Sequence, residues 1–187
     1  MLYHVSSTSG IKVLEPKKSS HGEAYVYALK NLTTALLFGA KKDDFDFLMD
    51  ENEQGIPVIY ECYPKAFETV YKGKSCSIYE LSEDGFIAGM TNWEPELVST
   101  NPVAVLNEIR VDDLYERLLY EAKQGKLIIH YFQDELSYKK IVSEHIVDRL
   151  IRWDLLESDI IYMDKRFSAY FAYLIKALKD VLSGRYL

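Results

Sequence analysis

The sequence predicts an α+β fold, and three observations carry that expectation. Up to about residue 110, short apolar runs are cut by Gly, Pro, Ser and Asn. Beyond it, apolar residues recur at three- and four-residue spacing. The two periods are segregated along the chain, which argues against βαβ repeats.

Each element has a local reason. Leu2–Val5 is an apolar strand run broken by Ser6, Ser7, Thr8, Ser9 and Gly10. Ile11–Leu14 predicts a second strand, stopped by Pro16, and residues 17–22 a polar loop. The run Tyr25-Val26-Tyr27-Ala28 is β-prone, and Asn31 is a good N-cap for a helix over Leu32–Phe38, ended by Gly39. The acid-rich stretch 41–54, with Phe45, Phe47, Leu48 and Met49 inside it, reads as a loop partly docked on the body. Further strands are expected at Ile56–Cys62, Ser75–Leu81, Phe86–Met90, Leu97–Ser99 and Val103–Val111, with a helix opened by Pro64 and running to Tyr71.

Past that point the pattern is helical. Leu114, Leu118 and Ala122 form one stripe, with Gly125 just after it. Val142, Ile146, Leu150 and Trp153 form a second. Phe167, Tyr170, Phe171, Leu174, Leu178, Val181 and Leu182 form a third. The expected organisation is a strand-rich body over residues 1–107 and a helical C-terminal extension, 108–187, packed on it.

Composition narrows the function. The chain has 187 residues with 22 Lys and Arg against 29 Asp and Glu, a formal charge of −7. Non-specific nucleic-acid binding draws its affinity from cations neutralising phosphates, so the acidic balance argues against a nucleic-acid partner. Two cysteines, Cys62 and Cys76, make no disulfide framework and predict a reducing, cytoplasmic setting. The first residues lack a signal-peptide pattern, and no apolar stretch approaches membrane-spanning length, so no membrane partner is expected. Phosphate-cradling Gly-rich loops, CxxC pairs and HExxH are missing from the sequence, and no two histidines lie four apart, so no metal is expected.

Three stretches point to chemistry together. They are Leu2-Tyr3-His4-Val5-Ser6, then Tyr25-Val26-Tyr27-Ala28 followed by Thr33-Thr34-Ala35, and finally Trp93-Glu94-Pro95-Glu96-Leu97-Val98-Ser99. A strand histidine, a pair of strand aromatics, small hydroxyl residues opening a helix, and a carboxylate opening a late strand are far apart in sequence. In a body of this size they can meet.

This ordered set resembles the ADP-ribosyltransferase superfamily of the His-Tyr-Glu type, which includes diphtheria-like toxins and poly(ADP-ribose) polymerases. The resemblance covers residues 1 to about 107. It implies a body of two small packed sheets, NAD as substrate, and either ADP-ribosyl transfer to an acceptor, possible protein acceptors included, or NAD glycohydrolysis. Carried over residue by residue, it implies that His4 bonds the adenosine ribose hydroxyl. Tyr25 or Tyr27 stacks on nicotinamide, Thr34 bonds the carboxamide, and Glu96 bonds the nicotinamide ribose. Cleaving the glycosidic bond builds positive charge on the ribose, which a fixed carboxylate stabilises. Val5 stands where the family has glycine, and a strict alignment on Ala28 puts Val26 at the stacking position. Those departures define the rival expectation, a non-catalytic interaction module on the same fold.

Overall fold

The computed structural model describes residues 1–18, 23–42, 45–91, 93–152, 168 and 171–183. The strands, in chain order, are β1 (Leu2–Ser6), β2 (Val13–Leu14), β3 (Lys17–Lys18), β4 (Ala24–Leu29), β5 (Phe47–Glu51) and β6 (Pro57–Glu61), followed by β7 (Cys76–Leu81), β8 (Ile87–Ala88), β9 (Glu96–Ser99), β10 (Val103–Ala104), β11 (Asn107–Val111) and β12 (Ile128–His130). The helices are α1 (Leu32–Leu36), α2 (Ala66–Tyr71), α3 (Leu114–Lys123), α4 (Leu136–Arg152) and α5 (Phe171–Leu182). The fold class is α+β, as the sequence predicts. Trp153, Phe167 and Tyr170 of the predicted stripes lie outside the described residues.

The chain forms two compact units that interleave in sequence. Unit 1 comprises Met1–Lys42 and Val70–Leu127, and unit 2 comprises Asp43–Thr69 and Ile128–Leu187. This division differs from a single boundary at 107, and pairing gives the reason. Strand β11 lies antiparallel on β7, which ties the start of the second half into unit 1. Strand β12 runs parallel to β6, which ties residues near 60 to the helical end.

Unit 1 holds a sheet in the order β11-β7-β1-β4-β9-β8, with β3 added on β4, and a two-stranded sheet of β10 and β2. Leu2, Leu14, Val26, Ala28, Tyr79 and Leu81 form a buried cluster of this unit, against which Ile11, Leu97 and Val103 pack. Helix α1 packs on β1, β4 and α3. α1 ends at Leu36 with Leu37 as its C-cap, short of the expected end at Phe38. Gly39 follows where a side chain has no room, since a Cβ there would lie 2.9 Å from Leu114 Cδ2 and 3.0 Å from Cys76 Sγ.

Unit 2 holds the three-stranded sheet β12-β6-β5 with α4 and α5. Tyr138, Val142, Ile146 and Leu150 recur every four residues along α4 and meet Leu174 and Leu178 of α5, with Leu48 and Cys62. The acidic stretch is partly a strand: Phe47 and Leu48 are buried, and β5 pairs along its length with β6. Burial of those two side chains outweighs the low β-propensity of the acids around them. Two other expectations shift. Lys17 and Lys18, expected in a loop, pair with Tyr25 and Ala24. The long run 103–111 is split, because Leu106 hands its backbone amide to Glu80 between two separate pairings.

Candidate functional site

All five residues singled out from the sequence lie in unit 1, and three neighbouring strands carry four of them. β1 bears His4, β4 bears Tyr25 and Tyr27, and β9 begins at Glu96. β1 is held along its whole length by β7 but meets β4 only at Tyr3↔Leu29. β4 in turn pairs with β9 from Val26↔Ser99 to Leu29↔Glu96. The sheet therefore parts between β1 and β4 just where His4 stands.

The imidazole crosses that parting. His4 Nδ1 lies 2.8 Å from the backbone oxygen of Tyr27. A carbonyl only accepts, so Nδ1 carries the hydrogen, and in the neutral ring Nε2 presents its lone pair. Burial lowers the His4 pKa below 6.5; the Tyr27 carbonyl works against that, and the charge of Lys17 adds to it. Among the described residues no hydrogen bond reaches Nε2. The ring is thus tuned as a hydrogen-bond acceptor toward a hydroxyl.

Side chains alternate along a strand, so Tyr25, Tyr27 and Leu29 share one face of β4. Glu96 is the register partner of Leu29 and shares that face. Val26 and Ala28 face the other way, into the buried cluster. The aromatics on the face of the carboxylate are therefore the two tyrosines, and Val26 is committed to the core. Their rings meet edge to face at 5.9 Å, and the Tyr27 hydroxyl donates to the Glu23 carbonyl at 2.9 Å. His4 neighbours Tyr3, the partner of Leu29, so alternation turns its side chain from the face of Glu96. His4 reaches β4 at the Tyr27 carbonyl, whereas Glu96 meets β4 at Leu29. Val5 is buried and opposes Ile78.

Glu96 is half-buried, which raises its pKa above 4.5, while a hydrogen bond with the Thr91 side chain pulls it back. The turn before it is tied at Trp93, whose carbonyl accepts from the Glu96 amide at 3.1 Å and from the Thr91 hydroxyl at 3.2 Å. The Trp93 ring lies 5.5 Å from that of Phe38, over which Lys42 sits at 4.5 Å. Glu94 is exposed.

Thr34 sits in α1, whose N-cap Asn31 accepts from the Thr34 amide at 3.1 Å. Thr34 is 1% exposed, and among the described residues its buried Oγ1 has no hydrogen-bond partner. Leaving a buried hydroxyl unsatisfied costs roughly 1–3 kcal/mol. The adjacent Thr33 is engaged instead, donating to Glu121 Oε2 at 3.3 Å. Burial raises the Cys76 thiol to about 11, with Arg117 lowering it only in part, which disfavours the reactive thiolate.

Sequence reasoning missed Lys17, Thr91, Tyr79 and Glu108. Lys17 falls in a stretch whose polarity reads as loop, and Thr91 acts within its own turn, on Trp93 and Glu96. Tyr79 and Glu108 act through side-chain bonds between residues far apart in the chain, which no local spacing encodes. Among the described residues no group of three His, Cys, Asp or Glu side chains gathers to hold a metal ion, and no helix is long and apolar enough to cross a membrane.

No family model matches the chain, and neither a curated protein nor a solved structure does.

Proposed function

We propose that unit 1 binds NAD and breaks its nicotinamide–ribose bond, passing the ADP-ribosyl group to an acceptor or to water. The observation that carries this reading is the run of adjacent strands β1, β4 and β9. It sets a neutral, acceptor-tuned His4 at a parting of the sheet, turned from the face that bears the two tyrosines and Glu96, so that in this reading the dinucleotide passes through the parting to meet both. Two further features support it. Glu96 is a half-buried carboxylate with a raised pKa, the kind of group that functional sites hold in reserve. Thr34 is a buried hydroxyl with bonding capacity left over.

In this reading His4 Nε2 accepts from a ribose hydroxyl at the adenosine end. Tyr25 or Tyr27 holds the flat nicotinamide ring, and Thr34 bonds its carboxamide. As the C–N bond breaks, its electron pair leaves with nicotinamide and positive charge develops on the ribose. The Glu96 carboxylate bonds the 2′-hydroxyl and stabilises that charge. A nucleophile then forms a new bond to the same carbon and gives up its proton.

Nicotinamide release from NAD by the full chain tests the reading, alongside the shift in melting temperature that NAD produces. The wild type releases nicotinamide and is stabilised by millimolar NAD, whereas Glu96→Gln is stabilised but does not turn over. Equal turnover by both removes Glu96 from the mechanism.

A second reading, a non-catalytic interaction module, is favoured by the burial of Val5 and the near-complete enclosure of Thr34. It is selected by the absence of both NAD stabilisation and nicotinamide release in the wild type.

A further inference from the structure

Behind His4 runs a row of three residues across three strands. Tyr79 of β7 is the direct register partner of His4 on β1 and of Glu108 on β11. Residues directly opposite one another share a sheet face, so His4, Tyr79 and Glu108 stand side by side. The Tyr79 ring is fully buried, and its centroid lies 6.3 Å from that of His4.

The outer ends of this row seize the loop that follows β1. The Tyr79 hydroxyl donates to the Thr8 carbonyl at 2.7 Å and accepts from the Ile11 amide at 3.3 Å. Glu108 Oε1 accepts from the Gly10 amide at 2.9 Å and from the Ser77 hydroxyl at 2.8 Å, with Tyr79 Oη at 3.3 Å. The Gly10 amide and the Ser77 hydroxyl hold the Glu108 carboxyl below its usual range, and burial partly opposes them.

Residues 7–10 are exposed. Water alone satisfies the polar groups of an exposed loop, and fixing its backbone costs about 1–2 kcal/mol per residue in entropy. Three backbone groups of this loop are nevertheless tied to side chains about seventy to a hundred residues away. Gly10 adopts φ +78°, the left-handed turn that brings its amide to Glu108.

We propose that Tyr79 and Glu108 are positioning residues for the dinucleotide, fixing the His4 ring from behind and strapping down loop 7–11, which follows the strand that carries it. The proposal rests on the NAD reading above. Both residues act through His4 and the loop and touch no reacting atom.

The experiment uses the full chain as Tyr79→Phe, Glu108→Ala and Glu108→Gln. It reads KM and kcat for nicotinamide release and follows the His4 imidazole titration by NMR without NAD. Tyr79→Phe keeps the ring and loses the strap, and Glu108→Ala loses the acceptor. Each raises KM about tenfold with kcat held within about twofold, the signature of lost binding rather than lost chemistry. Each also moves the His4 titration up toward 6.5, as the ring is released into solvent. In Glu108→Gln the amide oxygen still accepts from Gly10 and Ser77, and KM returns to near the wild-type value.

An unmoved KM and an unmoved His4 titration in both Tyr79→Phe and Glu108→Ala overturn the proposal, as does a Glu108→Gln no better than Glu108→Ala. If the wild type neither binds NAD nor releases nicotinamide, the NAD reading is what fails. The His4 titration then decides by itself whether Tyr79 and Glu108 position the ring.

Discussion

Glu61 of unit 2 and Glu96 of unit 1 are both drawn out of water, and the two are used in opposite ways. Glu61 of unit 2 is 3% exposed, and both carboxylate oxygens are occupied: Oε1 accepts from the Phe67 amide at 2.7 Å and Oε2 from the Phe132 amide at 2.8 Å. The backbone carbonyl of the same residue accepts from the Tyr138 hydroxyl at 3.0 Å. Glu96 of unit 1 is half-buried, and the Thr91 side chain is what opposes the burial that raises its pKa. A carboxylate spent on backbone amides is a fastener. One that is desolvated and thinly partnered keeps bonding capacity for something else.

The sharpest way to break that contrast is Glu61→Ala. It strands two amides, and the expected loss is about 4 kcal/mol of stability. Glu61→Gln does not fully rescue, because only one of its two polar ends accepts, and its NH₂ would face a donor. Urea unfolding of the three proteins measures this. An alanine variant as stable as the wild type would mean that the carboxylate is no fastener.

Glu96→Gln has the reverse profile. Turnover falls about a hundredfold, in keeping with the loss of a group that stabilises transition-state charge, while the melting temperature holds or rises. The sign follows from the raised pKa: the ionised form is penalised in the folded chain above that pKa, and the penalty fades as pH falls through it. Catalysis needs the ionised form. Nicotinamide release by the wild type therefore declines on acidification with a midpoint above 4.5, the ordinary value. A midpoint at or below 4.5 would separate Glu96 from the chemistry.

The same contrast explains what was legible in the sequence. Period alone revealed the apolar stripe Val142, Ile146 and Leu150, because a buried helix face repeats with the helix. The N-cap at Asn31 was legible because it depends on residue type at one place. The strand at Phe47–Glu51 was hidden, since its acids obscure two buried apolar residues. The placement of β6 beside β12, and of Glu108 in line with Tyr79 and His4, was equally hidden. Those depend on register between distant segments, and a shift of one residue reverses every face. The five candidate site residues could be named from the sequence, but the turn of His4 away from Glu96 at the parted strands could not.

Gly39→Ala probes packing in unit 1. The added methyl would press on Leu114 and Cys76 and lie 3.1 Å from the Leu36 carbonyl. The expected cost is about 2 kcal/mol, read as a fall in melting temperature. A neutral result would mean that Leu114 and Cys76 move aside freely, and that the close end of α1 does not hold Thr34 in place.

The smallest expected effect separates the helices themselves. α4 is seventeen residues long and lies on its neighbours through a full apolar stripe, so no single terminal bond decides it. α1 has five residues, and its first turn is fixed by the Asn31 side chain on the Thr34 amide. Asn31→Ala should cost about 1 kcal/mol, and Asn31→Ser or Asn31→Asp much less. Because the cap bonds the very residue proposed to meet the carboxamide, Asn31→Ala should also weaken NAD stabilisation, and Asn31→Asp should restore it. If the alanine variant loses stability yet keeps the full NAD-induced shift in melting temperature, α1 is scaffold and Thr34 leaves the proposed site.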